Sequence, residues 1–213
     1  MPKPLLKVGN KRIIDISMKP LTKAGITNFY LTSSYLTEKL ESYLKQNYPK
    51  LNFTMLVEDE ARGRAGAIRH AIDNNLLNPN DKYIILNCDD VIEIDIKELI
   101  THHETSKKNC TIVLAKSFTN PYGVVEFQEN NVTNFTEKPQ TTLPSGQGIH
   151  AGMGIFSNLK EFQNTKIPSH PEQNIYPNLA EKQEIGAYIV NNWQSVNTPD
   201  EYNSLKSKFY STS

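Results

Sequence analysis

The feature that most constrains the fold is an alternation of apolar, β-rich runs with amphipathic helical segments. The runs 83–86 (YIIL) and 111–115 (TIVLA) are continuously apolar, which is typical of strands buried on both faces of a parallel sheet. Helical spacing of apolar residues covers 36–47, 65–74 and 96–108, between such runs. This rhythm predicts an α/β fold with a mixed, mostly parallel sheet flanked by helices and wound right-handedly.

The segment before residue 60 extends the same alternation. Residues 13–24 have helical spacing, although Pro20 conflicts with a helix interior because it lacks a backbone N–H. The runs 28–32 and 53–57 are rich in β-formers and predict strands. We expect one domain over residues 1–213, a length that allows a sizeable core.

The chain changes character after Ser117. Short β-rich runs are separated there by Gly, Pro and Asn, and residues 139–149 predict a polar loop. We expect a small β-rich lobe that forms a second wall of a substrate cleft. The predicted strands are 122–127, 132–135, 153–156 and 186–190, and the predicted helices are 172–183 and 200–208, the last one opened by Thr198 as N-cap and Pro199.

Charge and apolar content argue against several classes of function. Lys plus Arg and Asp plus Glu each number 23, so the formal net charge is zero and the electrostatic footprint of a nucleic-acid binder is missing. No apolar run is long enough to span a bilayer, and the first residues lack the apolar region of a signal peptide. We therefore expect a cytoplasmic protein with no membrane or nucleic-acid partner. Cys88 and Cys110 are expected to be buried free thiols.

The run Asn87-Cys88-Asp89-Asp90 follows the apolar strand 83–86 directly. Ligands of open α/β sheets bind beyond the carboxyl ends of the strands. A carboxylate held there is well placed to ligate Mg²⁺ that bridges substrate phosphates. From position alone, a turn or helix cap made by either aspartate is an equally good interpretation.

Six ordered segments, covering nearly the whole chain, resemble the sugar-1-phosphate nucleotidylyltransferase family. Each segment is weak alone, but their order and spacing together are specific. The resemblance is to the short core of the mannose-1-phosphate guanylyltransferase and glucose-1-phosphate thymidylyltransferase type. The segments are 2–9 (PKPLLKVG), 61–68 (ARGRAGAI), 87–90 (NCDD), 122–126 (YGVVE) with 137–139 (EKP), 149–156 (IHAGMGIF) and 193–202 (WQSVNTPDEY).

The resemblance implies a reaction between a nucleoside triphosphate and a sugar 1-phosphate, with Mg²⁺ as cofactor and pyrophosphate as leaving group. It implies that Lys3 and Asp89 are catalytic and that Asp89 is the metal ligand. Residues implied for substrate binding are Gly63, Arg64 and Gly66 for the nucleotide, and Gly123, Glu137, Lys138 and Gly152 for the sugar phosphate.

The chain departs from the family pattern at Ala61, Arg64, Cys88, His150, Ser195 and Asn197, and three of these departures bear on the site. Ser195 stands where the family has its second metal-ligating aspartate, and a neutral hydroxyl is a weaker ligand for a hard cation. Arg64 replaces a threonine beside the base site, and it either holds a phosphate or is a solvated residue of the first helical turn. His150 replaces an asparagine, and we interpret it as a structural hydrogen-bonding residue rather than a catalyst.

The family's first strand and its glycine-rich triphosphate loop precede the segment 2–9 and are not part of the printed sequence. The resemblance therefore implies a Rossmann-like sheet that lacks its first strand, in a domain truncated at its N-terminus relative to the family. Because that strand is interior, its loss exposes two rows of unpaired backbone groups. We expect such a fold to be unstable unless another segment or chain fills the gap.

Three functions remain open from the sequence. The first is an active sugar nucleotidylyltransferase. The second is a non-catalytic relative that binds a nucleotide sugar or serves as a regulatory subunit. As protein partners, either a second copy of the chain in a homo-oligomer or an active paralogue is open. The third is a metal-dependent glycosyltransferase, because the run 87–90 also resembles a D-x-D motif. The segments 137–139 and 193–202 argue against this third function.

Overall fold

The structure is a computed structural model that describes residues 2–34, 36–120, 124–128, 131–137 and 139–210. Within those ranges, no helix combines the length and apolar character that a membrane span requires. The helices are a 3₁₀ helix (Lys3–Leu5), α1 (Ile13–Lys23), α2 (Thr37–Asn47), α3 (Gly63–Asp73), α4 (Ile96–Ser106), α5 (Lys160–Gln163), α6 (Pro171–Asn174), α7 (Tyr176–Glu181) and α8 (Pro199–Tyr210).

Strands occur both between these helices and in a run after residue 109. They are β1 (Lys7–Val8), β2 (Lys11–Arg12), β3 (Asn28–Ser33), β4 (Asn52–Val57), β5 (Tyr83–Leu86), β6 (Asp90–Ile92), β7 (Cys110–Ala115), β8 (Ser117–Thr119), β9 (Val124–Gln128), β10 (Asn131–Thr136), β11 (Gln140–Thr142), β12 (Ile149–Phe156), β13 (Ile185–Val190) and β14 (Trp193–Ser195).

The central sheet has the strand order β13-β7-β12-β5 and is mixed. β13 runs parallel to β7, whereas β12 runs antiparallel to both β7 and β5. β5, β7 and β13 therefore point in one direction, so their carboxyl ends lie at one edge of the sheet. β3 and β4 form a separate parallel pair. The predicted Rossmann-like α/β architecture is confirmed.

Strand alternation explains how the central sheet is covered on both faces. On β7, Cys110 packs into a cluster with residues of α3, α5 and α7, whereas Val113 and Ala115 pack into a second cluster with residues of α4 and Leu21 of α1. β12 divides its side chains in the same way, with Phe156 in the first cluster and its other buried side chains in the second. Two layers of helices thus enclose the sheet.

The strand Tyr83–Leu86 differs from its prediction. A run of four apolar residues predicts burial on both faces, yet all four are only half-buried. β5 is the last strand of its sheet, and in the described residues no strand pairs along its other side. β5 contacts β3 through the rings of Tyr83 and Tyr30, with centroids 6.2 Å apart. The exposure follows from this open edge.

Two further predictions need correction. The single helix predicted over 172–183 is divided into α6 and α7, because Pro177 near the start of α7 has no N–H to continue a preceding helix. The predicted loop 139–149 contains β11, which pairs antiparallel with β8. By contrast, the predicted cap of the last helix is confirmed, since the Glu201 N–H donates to the Thr198 hydroxyl at 3.2 Å.

The β-rich part predicted after Ser117 is present as two antiparallel pairs, β8 with β11 and β9 with β10. The N-terminal segment packs into the body of the molecule at two places. Leu5 lies in a cluster with α1 and α2, and Val8 lies in a cluster with Val196 and Leu205. The two ends of the described chain are thereby joined beside the loop that follows β5.

Candidate functional site

A cleft of about 560 Å³ opens near the carboxyl end of β5. This is the edge of the sheet where α/β proteins bind their ligands. Most of the lining residues have polar side chains, and one of them carries an indole ring. It comprises Arg64, Asn87, Asp90, Ile149, His150, Gly152, His170, Glu172, Gln173, Trp193, Ser195 and Asn197.

Asp90 is the buried carboxylate of this cleft, with 7% of the residue exposed. The Trp193 indole Nε1–H donates to its Oδ1 at 2.9 Å, and the Asn87 amide donates to its Oδ2 at 3.1 Å. Burial raises the pKa of Asp90 to about 6, and those two hydrogen bonds oppose the rise. The carboxylate is therefore fixed in position but has no cation bound to it through a described contact. Such a group favours a cationic ligand.

Gly152 lets the Asp90 carboxylate occupy this position. Its φ is +77°, and a Cβ there would overlap Asp90 Oδ2. Its carbonyl also accepts a hydrogen bond from the Asn87 N–H at 2.8 Å, which ties β12 to the loop after β5. A residue with a side chain would be strained and would displace the carboxylate. The role of Gly152 toward a sugar phosphate stays a prediction.

Asp89 points elsewhere. Lys3 donates to its Oδ2 at 2.6 Å and to Asn197 Oδ1 at 2.9 Å. The structure thus brings together Lys3 and Asp89, the two residues predicted to be catalytic, as an ion pair. Neither lines the cleft, although their partner Asn197 does. The assignment of Asp89 as the metal ligand stays a prediction.

Ser195 lies directly opposite Asp90. β14 pairs antiparallel with β6, and the register places Ser195 across from Asp90. The Ser195 hydroxyl donates to Glu201 Oε1 at 3.2 Å, and the other oxygen of Glu201 accepts from the Asn197 and Thr198 backbone N–H groups. Ser195, which stands at the position of the family's second metal ligand, therefore lies beside Asp90, and Glu201 of α8 holds its hydroxyl.

The two glycines predicted to border a nucleotide accommodate a neighbouring loop. Gly63 has a φ of +70°, and a Cβ there would overlap the Ser169 carbonyl oxygen. That carbonyl also accepts hydrogen bonds from the N–H groups of Ala65 at 3.0 Å and Gly66 at 3.3 Å. The first turn of α3 is therefore bonded to the chain near Ser169. Nucleotide binding by Gly63 and Gly66 stays a prediction.

Arg64 extends from α3 over the cleft. One guanidinium nitrogen donates to Asn87 Oδ1 at 3.0 Å, and another donates to Glu172 Oε2 at 2.8 Å. The second oxygen of Glu172 is 3.9 Å from His150 Nδ1. Burial lowers the pKa of His150, and the charge of Glu172 opposes that shift.

The predicted sugar-phosphate residues are only partly described. Glu137 follows β10 and is exposed. Gly123 and Lys138 lie outside the described residues. Binding of a sugar phosphate by these three residues stays a prediction.

Sequence reasoning missed three side chains of the cleft. Asp90 is predicted only as a member of the run 87–90 that could cap a turn or helix, Trp193 only as part of a family segment, and Glu172 only as the start of a helix. The sequence does contain a clue to the direction of Asp90. It begins the short strand 90–92, and because side chains alternate along a strand, Asp90 and Ile92 lie on one face and Val91 on the other. For Trp193 and Glu172 the decisive contacts are with residues distant in sequence.

Mg²⁺ is the metal that the resemblance implies, and Asp90 is the buried carboxylate that the cleft offers for it. The described residues contain no group of three or more His, Cys, Asp or Glu side chains able to hold a metal by themselves. Mg²⁺ in proteins is commonly held by one or two carboxylates together with waters and substrate phosphates. The Asp90 carboxylate fits this pattern because each of its oxygens keeps a lone pair beyond its hydrogen bond.

Comparison with protein families identifies the chain. The nucleotidyl transferase family model matches residues 1–204. The chain belongs to the nucleotidyl transferase family. The predicted resemblance is thereby confirmed.

Two related sequences are similar to most of this chain. A mannose-1-phosphate guanyltransferase of Neurospora crassa is 31% identical over 211 residues, covering 95% of this chain and 57% of that protein. The mannose-1-phosphate guanylyltransferase catalytic subunit beta of Drosophila pseudoobscura pseudoobscura is 31% identical and covers 94% of this chain and 55% of that subunit. The chain thus spans little more than half the length of these relatives.

Solved structures share the fold at low sequence identity. HddC from Yersinia pseudotuberculosis superposes with a TM-score of 0.72 at 21% identity, covering 98% of this chain and 90% of that one. A putative glucose-1-phosphate thymidylyltransferase from Bacillus anthracis, in complex with a sucrose, gives a TM-score of 0.73 at 20% identity and covers 97% and 86%. At this identity the likeness supports the fold alone.

Proposed function

We propose that this protein is a sugar-1-phosphate nucleotidylyltransferase, and that its first substrate pair to test is GTP with mannose 1-phosphate. The observation that carries the proposal is the buried Asp90 carboxylate, seated on Gly152 at the carboxyl end of β5 in a chain of this family. The substrate pair comes from the names of the relatives, mannose-1-phosphate guanyltransferases.

In the proposed reaction, one bond forms and one bond breaks at the α-phosphorus. An oxygen of the sugar phosphate attacks the α-phosphorus of the triphosphate, and the bond from that phosphorus to the bridging oxygen of pyrophosphate breaks. Such a transfer depends mainly on positioning and charge neutralisation. Asn87 and Trp193 hold the Asp90 carboxylate in place for that purpose.

Asp90 would hold Mg²⁺ when the metal enters with the substrate phosphates. The ion would supply positive charge against the phosphate oxygens and the leaving pyrophosphate. Lys3, already paired with Asp89, supplies a further cation close to the cleft through Asn197. Asp89, predicted from the motif, is the competing metal ligand within this proposal.

A second candidate function is a non-catalytic relative that binds a nucleotide sugar. One observation favours it, since Ser195 presents a neutral hydroxyl opposite Asp90 and that hydroxyl donates to Glu201. In this candidate the protein acts with another subunit. Five of the relatives are named catalytic subunits, which supports the idea of a partner subunit. A cytoplasmic location is part of both candidates.

The deciding experiment follows pyrophosphate release by the purified protein with GTP, mannose 1-phosphate and Mg²⁺. Release that requires all three components, together with formation of GDP-mannose, supports the first candidate. Binding of GDP-mannose without pyrophosphate release would overturn the first candidate in favour of the second. dTTP with glucose 1-phosphate serves as the second substrate pair. Transfer of mannose from GDP-mannose to an acceptor would indicate a glycosyltransferase.

A further inference from the structure

Arg64 is the permanent cation among the residues that line the cleft in the described part of the chain, and the neighbouring protein groups already engage its guanidinium. Glu172 Oε2 accepts from it at 2.8 Å, and Asn87 Oδ1 accepts at 3.0 Å. The same lining contains two carboxylates, Asp90 and Glu172. An anionic ligand entering this cleft therefore meets Arg64 only in competition with Glu172.

The pair between Arg64 and Glu172 is the kind that exchanges easily. The Arg64 side chain is 50% exposed and that of Glu172 is 33% exposed. Pairs with this exposure contribute only about 0–1 kcal/mol, because water and salt solvate both partners. A phosphoryl group is a stronger partner for a guanidinium, since it carries up to two negative charges and accepts two parallel N–H bonds.

Glu172 has a second position available to it. Its Oε1 is 3.9 Å from His150 Nδ1, which is beyond hydrogen-bond distance but needs a shift of only about 1 Å to reach it. The His150 ring is held at the cleft wall by an edge contact with Tyr176, at a centroid distance of 5.1 Å. His150 Nε2 is buried and has no hydrogen-bond partner in the described residues, and Nδ1 is the ring nitrogen that faces Glu172.

We propose that Glu172 is a displaceable counter-ion of Arg64, and that a phosphoryl group attached to a polyhydroxylated body takes its place in the cleft. On binding, the phosphoryl oxygens receive the Arg64 guanidinium, and the Glu172 carboxylate moves toward His150. Arg64 then determines the preference for phosphorylated over neutral ligands. This inference rests on the proposed function for its ligand class.

The rest of the cleft suits the uncharged part of such a ligand. Gln173 and Asn197 provide amide groups, and Trp193 provides an aromatic ring. Amides, carboxylates and one ring are the groups that bind polyhydroxylated molecules. Both a sugar phosphate and a nucleotide have this chemistry, so the test needs an arm for each.

Calorimetric titration with matched probe pairs tests the proposal. Mannose 1-phosphate is compared with mannose, and GTP with guanosine, each probe alone so that no turnover occurs. We expect Glu172→Gln to bind one phosphorylated probe about two- to five-fold more tightly than the wild type, because the competing carboxylate is removed. Arg64→Gln should weaken the same probe about tenfold or more. The neutral member of that pair should change less than two-fold.

The chain offers a matched control in Glu161, which pairs with Lys182 at 2.8 Å and has the same side-chain exposure of 33%. Glu161→Gln removes the same charge away from the cleft and should leave all four titrations unchanged. Arg64→Lys keeps the positive charge but cannot donate two parallel N–H bonds. Its affinity for the phosphorylated probe should lie between those of the wild type and Arg64→Gln. Melting temperatures show whether each variant is folded.

Three results would overturn the proposal. The first is weaker binding of the phosphorylated probes by Glu172→Gln than by the wild type. The second is binding of these probes by Arg64→Gln with the wild-type affinity. The third is no binding of either phosphorylated probe by the wild type. The probe pair that responds identifies the source of the phosphoryl group. Failure of the proposed function is separate, because absence of pyrophosphate release can coexist with all the expected binding shifts.

Discussion

At the scale of single residues, the two adjacent aspartates of the loop after β5 have different environments. Asp90 is buried and lines the cleft, whereas Asp89 is bound by Lys3. We expect Asp90→Asn to lower Mg²⁺-dependent pyrophosphate release by about 100-fold or more, because a fixed charge near the reacting phosphate is lost. Asp89→Asn should lower it less, since it changes only the partner of Lys3. A larger loss in Asp89→Asn would contradict this order and support the assignment made from the motif.

Gly152 provides a second test at this scale. We expect Gly152→Ala to destabilise the protein by about 2–4 kcal/mol, because it adds overlap with Asp90 to the strain of a positive φ. Gly146 is the matched control, with a φ of +81° and no heavy atom within 4 Å of its Cβ position. Gly146→Ala should cost only about 1 kcal/mol. Urea denaturation of both variants measures the difference, and equal losses would rule out the contact with Asp90.

For single residues, the sequence predicted the position of the site but not the directions of its side chains. The sequence predicted that the run 87–90 carries the chemistry, because a polar run directly after an apolar strand marks the ligand edge of a sheet. It did not predict which aspartate faces the cleft. That depends on Asp90 beginning β6 and pairing across from Ser195, and Ser195 lies more than one hundred residues away.

At the scale of elements, a buried histidine joins α4 to the central sheet. His103 pairs with the Thr111 hydroxyl at 2.8 Å and with the Ser157 hydroxyl at 2.9 Å. Burial lowers the pKa of His103 below its usual value in the unfolded chain. The folded state thus favours the neutral ring. Its contribution to stability is complete above pH ~6.5 and is lost as the pH falls below that value, because the unfolded state then binds more protons.

We therefore expect the contribution of His103 to the free energy of unfolding to fall between pH 7.5 and pH 5.5, so that His103→Asn loses less stability on acidification than the wild type. The asparagine keeps a donor and an acceptor but does not titrate in this range. Urea denaturation at several pH values measures both slopes. His102 lies on the same helix at the surface against Tyr188, so His102→Asn is the position-matched control for replacing a histidine of α4 by asparagine. Identical slopes in His103→Asn and wild type would show that His103 does not carry the effect.

Elements were predictable where local sequence decides them. Long amphipathic helices and apolar strands such as α4 and β7 came out within about two residues of their predicted bounds, as is usual for element ends. The short pieces did not, because β6, β11 and β14 exist only through pairing with distant strands. Local sequence also does not determine the directions of the strands in the sheet, because β12 runs antiparallel to β5 and β7 through contacts between segments distant in sequence.

At the scale of the whole molecule, the central sheet and the β3–β4 pair are not joined by a backbone ladder in the described residues. In the described residues β3 has one unpaired side in the β3–β4 pair, and β5 has one unpaired side at the end of the central sheet. The two strands contact each other through the rings of Tyr30 and Tyr83. Tyr30 is 43% exposed, and all of β5 is half-buried. Two unpaired strand edges with apolar side chains are an unstable arrangement in water.

A strand placed between β3 and β5 would satisfy both edges and cover those side chains. We expect that extending the chain at its N-terminus with the strand-and-loop segment of a relative raises the melting temperature by about 10 °C, since a few kcal/mol correspond to a rise of this size in a domain of such length. An extension of equal length whose apolar residues are replaced by serine is the control, and should not raise it. Protection of β3 and β5 amides from hydrogen exchange should increase only with the apolar extension. If both extensions melted with the original chain, the open edges would not be what limits stability, and the half-burial of β5 would need another cause.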